Sequence, residues 1–137
     1  AIIISMSDQI RLANRQDEKE IRELTESLYQ ASGQTFSLEE QDNDLRNIEG
    51  KYIGPGGIFL VYELDGKLSG YLAAACDNEN ETIEIKRNGF APACVSPSPA
   101  EIYGRMLAVV RNHAYQMDIK SVLIDDNNAK VFQKEFQ

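Results

Sequence analysis

The sequence predicts a single α+β domain, with an antiparallel meander, one parallel strand added by a crossover, and helices on both faces of the mixed sheet. Three observations predict it. Elements follow the order β-α-α-β-β-β-α-β-α over residues 1–137. Asp65-Gly66, between two apolar runs, is a two-residue hairpin signal that makes its flanking strands antiparallel. Near the end of the chain a long helix separates two strands, and a strand reached through a helix returns parallel.

Ile10-Arg11-Leu12-Ala13 alternates and reads as a first strand. Asp17, Glu18 and Glu20 then open a helix with Ile21, Leu24 and Leu28 at helical spacing, and the carboxylates face the positive end of its dipole. It stops near Ser32-Gly33. Ser37-Leu38-Glu39-Glu40 has the form of a capping box and predicts a second helix through Leu45 and Ile48. Gly54-Pro55-Gly56-Gly57 breaks the chain before a strand from Ile58 to Leu64. Lys67 to Ala75 returns antiparallel, Asp77 to Glu81 is a polar loop, and Thr82 to Arg87 alternates as a third meander strand. A second capping box, Ser98-Pro99-Ala100-Glu101, starts a helix running to about Met117, with Ile102, Met106, Val109, Val110, His113 and Met117 on one face. Val122-Leu123-Ile124 is a buried-type strand, and a last helix begins at Asn127.

The balance of 42% hydrophobic and 26% charged residues belongs to a folded chain rather than a disordered one. Lys and Arg number 14 against 22 Asp and Glu, a formal charge of -8. A phosphate-backbone binder needs a basic surface, so nucleic acid is not an expected partner. No apolar run approaches the ~20 residues that span a bilayer, so no membrane partner is expected either. Ala1-Ile2-Ile3-Ile4-Ser5 is too short for a signal-peptide core; it reads as a short strand or as extra sequence before a start at Met6. Cys76 and Cys94 form neither a disulfide scaffold nor a four-ligand zinc set, and read as free thiols of a cytoplasmic protein. With His113 as the single histidine, no His-rich metal site is expected, and no metal.

The order of elements and the residues at its joints resemble the GNAT superfamily of acyl-CoA-dependent N-acyltransferases. Ile10 to Ala13 with Asp17 looks like the family's first strand and helix. Lys51-Tyr52-Ile53-Gly54-Pro55-Gly56-Gly57 and Ile58 to Gly70 are similar to a subgroup's acceptor loop and central hairpin. Glu84-Ile85-Lys86-Arg87 is similar to the fourth-strand signature of that subgroup. Leu107 to Ala114, Val122 to Asp125, and Asn128-Ala129 with Phe132 look like the third helix, fifth strand and start of the fourth helix. The resemblance covers residues 10 to 137. It implies an N-acetyltransferase moving an acetyl group from acetyl-CoA to a primary amine on a small molecule or peptide. The net charge favours a cationic acceptor, such as a polyamine, an aminoglycoside or a Lys side chain.

The resemblance also assigns candidate residues. Glu84 is the catalytic-base candidate, against a solvent-facing strand residue. Backbone from Phe90 and Ala91 to Val95 would hold the pantetheine arm. Gly104 and Arg105 fall at the end of the family's pyrophosphate loop, and Tyr103 lies near the cofactor entrance, as a substitute acid or as core. Asn128 matches an Asn that contacts the cofactor arm, or else caps a helix. Tyr52 and Gly56 would line the acceptor pocket, or form a plain turn before a strand. Lys86 and Arg87 would steer an acidic donor, or merely end a strand. His113 reads as a packed histidine ahead of a catalytic one.

The pattern departs from the family at its phosphate loop. Pro99, Ala100 and Ile102 stand where Arg, Gly and Gly belong, and Ser98 and Glu101 compete for the amides a pyrophosphate would use. Gln133 occupies the usual Tyr position, and the chain stops where the family continues into two more strands. An alternative function follows: a non-catalytic GNAT-like module for ligand or protein binding. An exposed fifth-strand edge would then favour a homodimer.

Overall fold

The computed structural model describes residues 7–92, 94–95 and 97–124. The Ile-rich start and the expected last helix, with Asn128, Phe132, Gln133 and Phe136, lie outside the described residues. Among the described residues five strands form one sheet in sequence order: β1 (Asp8–Leu12), β2 (Ile58–Leu64), β3 (Lys67–Asp77), β4 (Thr82–Phe90) and β5 (Ser121–Leu123). The first four are antiparallel, and β5 runs parallel to β4. This is the mixed α+β sheet that the order of elements predicts.

Among the described residues two long helices lie on opposite faces. Alternation along β2 sends Ile58, Leu60 and Tyr62 to α2 (Pro99–Gln116), and Phe59 and Val61 to the side of α1 (Glu18–Ser32). On the α2 face these residues meet Ile102, Tyr103, Met106, Leu107, Val110 and Ala114. On the α1 face Ile21, Leu45, Ile48, Tyr52 and Tyr71 complete the second cluster. Both faces of the central strands are therefore buried, and β2 and β3 are almost wholly apolar for that reason.

Local chemistry explains most of the boundaries. Asp65 and Gly66 both take positive φ, 53° and 80°, as a tight right-twisted hairpin requires. Gly33, at φ 77°, ends α1 with backbone bonds to Gln30 and Tyr29. Ser98 Oγ accepts the Glu101 N–H at 3.1 Å and Pro99 fills the first helical position, as expected for α2. Its buried face is centred on Tyr103 and Leu107 rather than on Val109 and Met117, which are exposed.

The predicted helix over residues 37–48 does not form. Residues Asn43–Arg46 make one 3-10 turn and Glu49–Ile53 one π-turn. The reason is Asp42, whose fully buried carboxylate accepts the Ser37 N–H (2.9 Å) and the Tyr29 hydroxyl (2.8 Å). A helix starting at Ser37 would carry Asp42 along its second turn, away from that Ser37 amide. Asp42, Asn43 and Asp44 also offer little helix propensity to oppose the inward turn.

A fork of two hydrogen bonds, both 2.8 Å, joins Arg11 to Asp17 between β1 and α1, and Asp17 also accepts the Asn14 N–H at 2.8 Å. Arg11 first, and Asn14 after it, hold the Asp17 carboxyl below the usual carboxylate range. This stabilisation is complete above the unfolded pKa of about 4 and is lost as pH falls through the depressed folded value. Asp17→Asn should therefore lower Tm at pH 6, and calorimetry should show the gap to wild type closing as pH falls towards 2. A gap of constant size across that range would mean the carboxylate's charge is not what matters.

Candidate active site

β4 is interrupted where the site lies. Arg87 pairs with Ala73 and Ile85 with Ala74, so Lys86 is an extra residue bulged out of the ladder. The bulge changes the phase of the strand. Ile83 and Ile85 face the α2 core, yet Arg87 turns to the α1 face, where Glu84 also projects. On the other side of β4, the pairing with β5 reaches only Glu84 opposite Leu123. Beyond that residue no described strand covers the outer edge of β4.

Over this stretch lies a groove of about 460 Å³ between β4 and residues 40–52. Asp44, Lys51, Tyr52, Ala75, Lys86 and Arg87 line it. Glu84 flanks it: its backbone pairs with Ala75, and its carboxylate meets the Lys86 ammonium at 2.8 Å. Glu84 is half exposed, so this ion pair restrains the carboxylate without sealing it from water.

Beneath the groove is a buried polar network. Arg87 donates to both oxygens of Asp44, at 2.7 and 2.9 Å, and to Asp42 at 3.3 Å. The Tyr52 hydroxyl donates a short bond to Asp44, while its ring meets Phe59 edge-on at 5.3 Å. Burial, reinforced by Asp44, pushes the Tyr52 hydroxyl well above the ordinary phenol range, so it stays protonated. Burial opposes the Arg87 charge, but Asp44 outweighs that and the guanidinium remains firmly charged. Sequence reasoning gave Asp42 and Asp44 no role. Their only signal was the acidic run itself, and their partner Arg87 lies more than 40 residues away in sequence.

No family model matches the sequence, and no curated protein matches it either. Solved structures do. An acetyltransferase of the GNAT family from Staphylococcus aureus Mu50 superposes with a TM-score of 0.79, over 95% of this chain and 83% of that one. The fold is that of the GNAT acetyltransferases. Identity to that protein is 18%. An acetyltransferase from Streptococcus agalactiae 2603 gives a TM-score of 0.71 at 17% identity, over 96% of this chain and 81% of that one. An aminoglycoside N-acetyltransferase in complex with CoA gives 0.69 at 16% identity, over 98% of this chain and 90% of that one.

Within this GNAT fold the residues singled out from sequence do not form one site. Tyr52 lines the groove but is only 3% exposed and offers it little of its ring, and Glu84 stands next to two lining residues, Ala75 and Lys86, rather than in the lining. Gly56 belongs to a separate apolar cleft, where its carbonyl lies 2.9 Å from His113 Nε2. His113 thus ties the Gly-rich turn to α2. Phe90 packs on the α2 core, Ala91 continues the ladder by donating to the Ser69 carbonyl at 2.8 Å, and Val95 is exposed. Tyr103 and Gly104 sit on the buried face of α2, inside the core. Arg105 is ion-paired to Asp8 at 3.0 Å and lies over the Tyr62 ring, turned towards β1 and β2. Asn128 lies outside the described residues. Among the described residues no group of His, Cys, Asp and Glu is placed to hold a metal ion.

Proposed function

We propose that this protein is an N-acetyltransferase that moves an acetyl group from acetyl-CoA to a primary amine of a small molecule. One observation carries the reading: the bulge at Lys86 and the end of β5 pairing at Glu84 open the β4 edge beside a groove holding a carboxylate. Among the described residues no strand pairs with that edge beyond Glu84, which leaves room beside it for an extended amide-bearing arm. Acetyl-CoA supplies an activated acyl thioester. The chain's own residues position the acceptor and manage its proton. The groove between Asp44, Lys51 and Lys86 receives the amine, and Glu84 takes the proton released from its nitrogen, through water. Lys86 holds the Glu84 carboxylate beside the groove. The aminoglycoside N-acetyltransferase among the structural neighbours supports a small-molecule amine as acceptor class.

A second reading, a GNAT-like binding module without catalysis, is favoured by the start of α2. Pro99 has no N–H and Ser98 occupies that of Glu101, so two first-turn amides are unavailable to a pyrophosphate. Isothermal titration with acetyl-CoA, and with CoA as control, separates the two. The enzyme reading expects micromolar binding. It also expects Glu84→Gln to lower turnover by about 10²-fold or more with binding unchanged. No heat at millimolar ligand favours the module, and unchanged turnover in Glu84→Gln removes the base assignment.

A further inference from the structure

A second groove, of about 560 Å³, lies between the first turns of α1 and the 3-10 turn at Asn43–Arg46. Arg15, Lys19, Arg22 and Arg46 line it, against one carboxylate, Glu18. The chain as a whole carries -8, with only 14 basic residues, so four of them around one groove reverse the local sign. Lys19 and Arg22, three apart on α1, share a helix face.

Two of these cations are held in place. Arg15 pairs with Glu49 at 2.9 Å. Arg22 donates to the Leu45 carbonyl at 3.3 Å and lies 3.8 Å from Glu18. Lys19 and Arg46 have no ion-pair partner among the described residues, and both are exposed. Gln16 and Asn47 add neutral amide groups to the lining. Glu49 and Glu18 offset Arg15 and Arg22, which leaves Lys19 and Arg46 as the charges available to an anion, and guanidinium forks match phosphate oxygens in pairs.

We infer that this groove is a binding site for a small molecule bearing a multiply charged phosphate group, separate from the groove over β4. Residues 43–47 are the wall between the two: Asn43 and Asp44 face one, Arg46 and Asn47 the other. Size and charge both favour a small ligand. The volume lies in the range of ordinary ligand sites. Outside the groove the acidic surface repels a long polyanion, whereas screening within about 10 Å confines that repulsion and leaves the local attraction intact.

Inorganic pyrophosphate is the probe, titrated into ¹⁵N-labelled protein, with sodium chloride at matched ionic strength and CoA as separate arms. The expected result is a saturable shift of the backbone amides of residues 15–22 and 46–47. A double variant, Lys19→Gln with Arg46→Gln, should weaken it about tenfold or more. Both positions are exposed, so the variant should keep its fold, which its amide spectrum reports; CoA should leave these amides unmoved. The inference is overturned if chloride reproduces the shifts, or if pyrophosphate moves nothing in the wild type. It is equally overturned if the double variant binds as tightly, or if CoA moves the same amides, which would make the groove the donor's own phosphate site. None of these outcomes depends on acetyl transfer.

Discussion

Arg87→Met should destabilise the protein by about 3–5 kcal/mol, the usual result of removing one partner from a buried charge cluster. Asp42 is fully buried and Asp44 largely so, and Arg87 is the one cation paired with either among the described residues. Methionine fills much of the space but leaves both carboxylates facing a low-dielectric interior without a counter-charge. For a domain of this size the loss should appear as a fall in Tm of roughly 10–15 °C. Scanning calorimetry reads it directly. Adding Asp44→Asn to the variant should recover part of the loss, since the two residues share one network and their effects cannot be additive. A fall of only a degree or two would mean that solvent reaches the cluster and that the wall of the β4 groove is held by other contacts.

This network also marks how far the sequence could be read. The hairpin was legible because Asp65-Gly66 solves a local problem, two consecutive residues at positive φ, that few other residues solve. Both long helices were legible from periodicity and end signals, since α1 and α2 each bury one face against the sheet. The segment over residues 37–53 was not. Its local signal, Ser37 with Glu40, is a genuine helix-start pattern, but it competes with Tyr29, Ser37 and Arg87 for where Asp42 must lie. That competition is decided by β4, far along the chain, and no local pattern carries it.

The bulge at Lys86 was hidden for a related reason. Thr82 to Arg87 alternates without a break, which predicts Arg87 on the face of Ile83 and Ile85. The extra residue reverses that and brings Arg87 under the groove beside Glu84. Glu84 could therefore be chosen from sequence as a chemical group, but not its neighbours. Gly104 and Arg105, singled out through the resemblance at the phosphate loop, lie within α2, Gly104 buried and Arg105 paired with Asp8. α2 buries a wide face that takes in Ile102, Tyr103, Gly104, Met106 and Leu107, and spacing from Ile102 alone, which marks Arg105 and Met106, does not reveal its width.

Gly57→Ala is expected to be at least as damaging as the loss of Arg87. A Cβ at Gly57 would overlap the Ala74 carbonyl oxygen and lie 2.7 Å from that of Tyr52. Both are backbone atoms, and neither has room to yield. Ala74 is paired with Ile58 in the ladder, and the Tyr52 carbonyl accepts the Gly57 N–H at 2.7 Å. The loss should reach about 3 kcal/mol or more, with little folded protein recovered at 37 °C. Gly33→Ala is the matched control. Its φ of 77° strains any L-residue, but nothing lies within 4 Å of the added methyl, so the loss should stay near 1–2 kcal/mol. Denaturant titration of the two variants compares a steric effect with a conformational one. The distinction bears on the site, because Gly57 clamps the end of the Tyr52 turn against β3, and Tyr52 and Ala75 form opposite parts of the β4 groove. If Gly57→Ala folds with the modest loss of Gly33→Ala, that clamp is compliant, and the groove cannot owe its shape to the sheet alone.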